Sequence, residues 1–309
     1  MENSNCLSSS YDEIDWDNIS GPLVISMTND YLFRALLQRN NRVLTALICS
    51  LLHLKISDVN AATITNPIVL GETITDKEFM LDVFIELNRN TIIDLELQVV
   101  NEGNWPERSL CYLCRSFDNL NKGEDYTLLK PAIHIGILDF TLFQEHPEFY
   151  ATYLMSNVKN HQIYSDKLRL SVLDLNCINL ATEEDKYYKI VSWARFFKST
   201  TWEELKMLAK SDKYMQEAVA SVYNLTQEEK IRQQCEARED YRRRTAGRER
   251  MLKEALEEKE QLMAEKKLWT TEREQLSSEN NQLSSKNEQL SSENERLRQL
   301  LLEHGIEDK

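Results

Sequence analysis

The chain has 309 residues and a formal net charge of −14, with 41% hydrophobic and 28% charged residues. This acidic balance argues against a protein that coats nucleic acid through bulk positive charge, although an enzyme that acts on nucleic acid remains possible. Gly and Pro are too scarce, at 7 and 5 residues, for collagenous or loop-rich β architectures. The sequence contains no apolar run of membrane-spanning length and no basic signal-peptide head, so we expect a cytoplasmic protein without a membrane partner.

The six cysteines are scattered along a chain that is long enough to fold without disulfides. Cys111 and Cys114 have the spacing of half a zinc site, but no second pair lies at a suitable distance. The five histidines are isolated from one another in the sequence. We therefore expect buried or incidental thiols rather than a zinc centre.

The N-terminal part divides into a polar leader and two helices. Residues 1–21 are rich in Ser, Asn and acidic residues and lack periodicity, which predicts a disordered leader. Asn29–Gln38 and Arg42–Leu54 both carry leucines at helical spacing. Asn40 and Asn41 interrupt the two patterns, so we expect a helical hairpin at the start of the first domain, which we assign to residues 22–226.

Two alternating runs, Phe79–Leu87 and Thr91–Val99, predict a β-hairpin. The intervening residues 88–90 read Asn-Arg-Asn, and Asn tolerates the left-handed backbone that such a loop requires. One face of the hairpin is apolar. The other carries polar side chains, namely Asp82, Glu86, Asp94, Glu96 and Gln98.

Pairing of Leu87 with Thr91 places Asp82 directly opposite Glu96, with Cβ atoms about 4.5–5.5 Å apart. Gln98 lies two residues further along the same face. Like charges are normally avoided at opposed positions, so the pair suggests an oxygen-ligand site for a hard divalent cation. The alternative is an ordinary solvent-exposed polar face, and a shift of one residue in register would undo the pairing.

The rest of the domain combines strands and helices. Ala132–Phe140 and Lys167–Leu175 alternate as strands, and residues 183–226 return to helical patterns. Pro106–Lys122 reads as a helix. Its spacing brings three side chains to one face, those of Arg108, Tyr112 and Arg115. This order of elements predicts an α/β sandwich around one sheet.

The C-terminal part contains a charged helical connector at residues 227–258 and leucine heptads at residues 259–304. Apolar residues repeat every seventh position, at Leu262, Trp269, Leu276, Leu283, Leu290 and Leu297. With these at heptad position d, position a holds Asn280, Asn287 and Asn294. The pattern predicts a leucine-zipper-like, parallel homodimeric coiled coil, weakened by its buried Asn pairs. A solvated single helix is the alternative.

A basic stretch precedes the heptads, comprising Arg238, Arg242, Arg243, Arg244, Arg248, Arg250 and Lys253. Acidic residues interrupt it, Gly247 weakens the helix, and no Asn stands among the arginines to read adenine. These features disfavour a sequence-specific zipper reader of DNA. An arm that contacts DNA phosphates fits them better.

Four stretches between Thr28 and Arg244 together resemble one known family, the PD-(D/E)XK nuclease family transposases, also called Rpn recombination-promoting nucleases. The stretches are Asn29-Asp-Tyr-Leu-Phe-Arg34, the pair Leu81-Asp-Val83 and Glu96-Leu-Gln98, the passage from Arg108 through Tyr112, Gly123, Tyr126 and Pro131 to Phe140, and the segments Leu225–Lys230 and Cys235–Tyr241. The resemblance implies an α/β fold with a restriction-endonuclease-like (PD-(D/E)XK) α/β/α core, followed here by a C-terminal helical coiled-coil tail.

The resemblance also implies a metal-dependent endonuclease that hydrolyses DNA phosphodiester bonds in recombination or transposition. Asp82 and Glu96 would bind Mg²⁺ (or Mn²⁺), with the main-chain carbonyl of Leu97 as an extra ligand. Gln98 would orient the attacking water, and Asp30 matches an acidic position that can face the site. The wider superfamily has Lys in place of Gln98, and a carboxamide supplies no positive charge.

Two functions therefore remain open. The first is a Mg²⁺-dependent DNA endonuclease, dimerised through its tail. The second is a catalytically weak or inactive DNA-binding or scaffold protein on a nuclease fold. Retention of Asp82 and Glu96 favours the first, whereas Gln98 and the acidic body leave room for the second. We set aside a Ser or Cys hydrolase because the sequence shows no nucleophile elbow or matched His.

Overall fold

The computed structural model describes residues 11–68, 70 and 82–303 and shows a mixed α/β architecture. The α-helices of this part are α1 (Asp30–Arg39), α2 (Asn41–Leu51), α3 (Trp105–Phe117), α4 (Glu183–Tyr187), α5 (Ile190–Lys198), α6 (Trp202–Ala209), α7 (Lys213–Gln227) and α8 (Glu229–Glu303). The strands are β1 (Ala62–Ile64), β2 (Val83–Leu87), β3 (Thr91–Gln98), β4 (Ala132–Leu138), β5 (Tyr150–Ser156) and β6 (Ile163–Asp174).

The strands of the described residues form one sheet in the order β1-β2-β3-β4-β6-β5. Strands β3, β4 and β6 are parallel to one another, while the pairs β1–β2, β2–β3 and β5–β6 are antiparallel. Strands β4 and β6 confirm the strands predicted downstream of the hairpin. The sequence did not predict β1 or β5, because β1 has only three residues and the edge strand β5 has no regular alternation in burial.

Helices cover both faces of the sheet. One face of β3 and β4 packs into a large apolar core with side chains from α1, α2, α5, α6 and α7. Helix α3 contacts β3, β4 and β6. Its Trp105 forms a second, smaller apolar cluster with Leu138 and Val172. Every residue of β4 is buried, as expected for a parallel strand that is covered on both faces.

Residues 11–21 differ from the predicted disordered leader. The ring of Trp16 stacks on Tyr11 at 4.5 Å between centroids and lies 6.3 Å from the ring of Trp202. The Lys206 ammonium group donates to the carbonyl oxygen of Ile19 at 2.7 Å. The contacts with Trp202 and Lys206 join segments that lie far apart in the sequence, so the local polar composition of residues 11–21 does not reveal them. Residues 1–10 of the predicted leader lie outside the described residues.

Helix α8 is continuous over 75 residues, but its ends belong to different compact units. The first unit extends to Arg243, and the second begins at Arg244. Ile231 and Cys235, one helical turn apart, are buried within the first unit. The body therefore includes the beginning of the segment predicted as a connector. No helix of the described chain is long and apolar enough to span a membrane.

Candidate functional site

The β2–β3 hairpin has the predicted register. Leu87 pairs with Thr91 and Val83 with Leu95, so Asp82, immediately before β2, comes next to Glu96 on the continued ladder. Both carboxylates are buried, with 5% and 2% of the residue surface exposed. The residues predicted as a strand before Asp82 lie outside the described part.

The turn of the hairpin requires an unusual backbone at two positions. Asn88 and Arg89 have φ values of 51° and 60°, so the left-handed conformation expected of Asn is confirmed at Asn88 and extends to Arg89. The Asn88 side-chain oxygen accepts hydrogen bonds from the backbone N–H groups of Asn60 and Ala61 at 2.7 and 3.2 Å. These bonds tie the turn to the segment that leads into β1.

Two side chains hold the main chain at Asp82. The Asn66 amide donates to the carbonyl oxygen of Asp82 and accepts from the N–H of Phe84, both at 3.0 Å. The guanidinium of Arg34, on α1, donates to the carbonyl oxygens of Asp82 and Asn66. Arg34 is only 1% exposed. The backbone that presents Asp82 is therefore anchored to the first helix.

Strand β4 brings His134 to the polar face of the hairpin. In the parallel pairing of β3 and β4, Asp94 lies beside His134, and Glu96 lies beside Gly136. His134 Nδ1 is 3.1 Å from Asp94 Oδ2, and its Nε2 is 3.9 Å from Glu96 Oε2. All three ionisable side chains are buried. The sequence analysis missed His134 as a site residue because alternation places it on one face of β4 but does not reveal which strand pairs with β4.

Helix α3 covers this face, and its position depends on a glycine. A Cβ atom on Gly136 would lie 2.2 Å from Cζ2 of Trp105, so the missing side chain is what lets Trp105 rest on β4. One turn later, Arg108 donates to Glu96 and contacts Gln98 Oε1 at 3.4 Å. The alternative of a solvent-exposed polar face is therefore wrong for Asp82, Asp94 and Glu96, which are all buried.

The other predicted site residues have different surroundings. Gln98 donates from its amide nitrogen to the carbonyl oxygen of Val100 at 2.9 Å. The side chain of Leu97 points into the large apolar core, so only its main chain can contribute a ligand.

Asp30 is engaged elsewhere. Its carboxylate forms an ion pair with Arg238 and lies 3.6 Å from Arg242 Nη2, both on α8. The structure thus brings Asp82, Glu96 and Gln98 together around β3, while the ion pairs of Asp30 among the described residues connect it to α8. Arg238 and Arg242, two arginines of the predicted DNA-contacting arm, therefore interact with Asp30 in the body of the protein.

Burial and mutual repulsion disfavour the charged forms of the two carboxylates. The pKa of Asp82 is raised to about 6, mainly because the carboxyl is buried and next because the charge of Asp94 lies nearby. The pKa of Glu96 is raised to about 8, again mainly by burial and next by the charge of Asp82. The positive charge of Arg108 acts in the opposite direction and lowers this pKa. A bound cation would relieve both effects.

The described residues contain no group of three or more His, Cys, Asp or Glu side chains arranged to hold a metal ion. Two observations nevertheless fit a divalent cation. Asp94 Oδ1 and Glu96 Oε2 are buried without hydrogen-bond partners, and carboxylate oxygens are the ligands that Mg²⁺ and Mn²⁺ prefer. Arg108 provides the positive charge at Glu96 in this arrangement.

Comparison with known proteins identified a family to which the chain is similar. The sequence model of a family described as PD-(D/E)XK nuclease family transposase matches residues 27–255. No curated protein and no solved structure matches the chain. The matched range contains the whole sheet and helices α1 to α7.

Proposed function

Because the chain belongs to the PD-(D/E)XK nuclease family transposases, we propose that it is a metal-dependent DNA endonuclease that acts in recombination or transposition. The mixed α/β architecture fits the nuclease fold. The observation that carries the proposal is the burial of Asp82 and Glu96 side by side, since two adjacent acids are expensive to bury unless they serve a cation.

In this proposal Asp82 and Glu96 hold Mg²⁺ or Mn²⁺, with the main-chain carbonyl of Leu97 as an additional ligand. When bound, the cation polarises the phosphate and lowers the pKa of its water, so that hydroxide is available near neutral pH. Gln98 can orient that water through its carboxamide. Arg34 and Asn66 keep the Asp82 backbone in place. Helix α3 packs on β3 and β4 and brings Arg108 to Glu96.

The proposal is tested by plasmid cleavage with Mg²⁺ or Mn²⁺, beside EDTA and the Asp82→Ala and Glu96→Gln variants. We expect nicking or linearisation that requires metal and that falls at least about 10²-fold in either variant. Metal-independent cleavage, or full activity in Asp82→Ala, would place the activity elsewhere.

The same assay separates two roles for Asp30. If Asp30 contributes to catalysis, Asp30→Asn lowers cleavage while the melting temperature is retained. If it anchors α8 through Arg238, the melting temperature falls and the folded fraction cleaves normally. The ion pairs with Arg238 and Arg242 support the anchoring role.

The second candidate function is a catalytically weak DNA-binding or scaffold protein. The side-chain amide of Gln98 carries no charge and donates a hydrogen bond to the carbonyl oxygen of Val100, which favours this second candidate. DNA binding without cleavage in the plasmid assay would support this candidate over the first.

We further propose that the tail forms a parallel homodimer. The side chains at position d of the heptads, from Leu262 to Leu297, are each between 52% and 72% exposed on α8. An apolar stripe that repeats every seven residues fits a second copy of the same helix, and aligned Asn residues favour the parallel register. Two nuclease domains in one dimer would suit cleavage of both DNA strands.

A further inference from the structure

Hydrolysis of a phosphodiester develops negative charge on the phosphate, and a positive side chain near the scissile bond stabilises it. Gln98 cannot supply that charge, since a carboxamide only donates and accepts hydrogen bonds. Helix α1 offers Arg34, and helix α3 offers Arg108 and Arg115, as candidates for that charge. Their contacts distinguish them.

Arg34 and Arg115 do not fit the role. Arg34 is buried, and its two terminal nitrogens donate to main-chain carbonyls, so its guanidinium serves the backbone of Asp82. Arg115 and Arg108 both lie over the Tyr112 ring, at 5.7 and 5.5 Å from its centre, so their contacts with carboxylates are what separate them. Among the described residues, no ion pair joins Arg115 to a carboxylate of the site.

Arg108 lies directly at the carboxylates. One terminal nitrogen forms an ion pair with Glu96, and the other lies 3.4 Å from Gln98 Oε1 and 3.6 Å from Glu102 Oε2. Its side chain remains 25% exposed, whereas the carboxyl side chain of Glu96 is only 3% exposed. Arg108 therefore contacts both the predicted metal ligand, Glu96, and the predicted water-orienting residue, Gln98.

From this geometry we infer that Arg108 is a catalytic residue, whose guanidinium supplies the positive charge that stabilises the reacting phosphate. In the chain without metal its guanidinium neutralises Glu96. When Glu96 is engaged by a divalent cation, Arg108 is released to contact the reacting phosphate and takes the place of the positive charge that Gln98 lacks. The inference rests on the proposed nuclease function.

The role predicts opposite effects on metal binding and on cleavage. Replacing Arg108 by Gln removes a cation that competes for Glu96, so Mn²⁺ should bind at least as tightly in the absence of DNA. The same change removes the charge that stabilises the transition state. A residue that only supported the fold would weaken both.

The experiment measures Mn²⁺ affinity by calorimetry without DNA and the single-turnover cleavage rate of the full chain. For Arg108→Gln we expect undiminished Mn²⁺ affinity and a loss of cleavage on the order of 10²–10³-fold. Adding Gln98→Lys to Arg108→Gln should recover at least about tenfold of that loss, because it returns a positive charge beside the scissile bond. Arg115→Gln, on the same helix, is the matched control and should cleave like the wild type.

Arg108→Gln that cleaves as fast as the wild type would overturn the inference. So would a loss of cleavage that is accompanied by weaker Mn²⁺ binding and is not recovered by Gln98→Lys. A wild-type chain that binds Mn²⁺ but cleaves no DNA would instead overturn the proposed function, and the catalytic role of Arg108 would fall with it.

Discussion

At the scale of single residues, the site concentrates acidic groups where solvent cannot stabilise them. Asp82, Asp94 and Glu96 are buried together, and Arg108 forms an ion pair with Glu96. Such a cluster is unfavourable in the absence of a cation, because both burial and like charge penalise ionisation. The raised pKa values of Asp82 and Glu96 express this penalty.

This penalty makes stability without metal depend on pH. The pKa of Asp82 is raised in the folded chain to about 6, above the unfolded value of about 4. Protonation of Asp82 therefore contributes fully to the stability of the fold below the unfolded pKa, and this contribution is lost as the pH rises through 6. Glu96 extends the loss towards pH 8. For Asp82 the effect is on the order of 2–3 kcal/mol, at about 1.4 kcal/mol per pKa unit.

The measurement is urea unfolding in EDTA at pH 5 and pH 8, for the wild type and for Asp82→Asn. We expect the wild type to lose more stability than the variant between the two pH values, because Asn does not titrate. Addition of Mn²⁺ at pH 8 should restore the wild type selectively. Equal pH slopes for the two proteins would show that Asp82 is not held in a raised-pKa environment.

At the scale of elements, α3 is the part that turns an acidic hairpin into an enclosed site. It connects β3 to β4 and lies on the face of the sheet that carries Asp94 and Glu96. Its first residue, Trp105, rests on Gly136, and this contact determines how closely Arg108 approaches Glu96. The absence of a Cβ atom at Gly136 therefore determines how closely α3 approaches β4.

A methyl group at Gly136 should disturb this arrangement. In Gly136→Ala the new Cβ would lie 2.2 Å from Trp105 Cζ2, so the helix must shift. We expect overpacking to lower the free energy of unfolding by about 1–3 kcal/mol and the displaced Arg108 to reduce cleavage. Urea unfolding and the plasmid assay measure the two effects.

The control for this prediction is the double variant Gly136→Ala with Trp105→Leu, in which the smaller side chain leaves room for the methyl group. It should recover part of the lost stability. If Gly136→Ala is as stable as the wild type, Trp105 does not occupy the face of β4 as described.

At the scale of the whole molecule, the two compact units have different compositions. The unit up to Arg243 contains the apolar core and the site, whereas α8 beyond Arg244 exposes its leucines. Ion pairs of Arg238 and Arg242 with Asp30 connect the beginning of α8 to α1. These ion pairs lie within the first unit, so the beginning of α8 belongs to the body of the protein.

The homodimer is tested by changing its predicted seam. Leu283→Asp with Leu290→Asp places charges at two d positions, and we expect the full chain to become monomeric, because a buried carboxylate pair has no partner there. Ser285→Asp, at the outward position f, is the matched control and should stay dimeric. Size-exclusion chromatography with light scattering reads the mass; a wild-type monomer would contradict the proposal.

Local patterns in the sequence were sufficient for the elements that repeat along one segment. The hairpin register, helices α1 and α2, strands β4 and β6 and the helical tail all followed from periods of two, 3.6 or seven residues, because each period reflects the backbone geometry of that segment alone. These patterns also placed Asp82 and Glu96 opposite each other.

Contacts between distant segments required the tertiary structure. The parallel register of β3 and β4 puts His134 beside Asp94, and the fit of Trp105 on Gly136 brings Arg108 to Glu96. The pairing of Asp30 with Arg238 joins residues that are 208 positions apart. Side-chain alternation tells which face of a strand a residue occupies, but not which strand or helix lies next to it, so the enclosure and charge of the site arise only on folding.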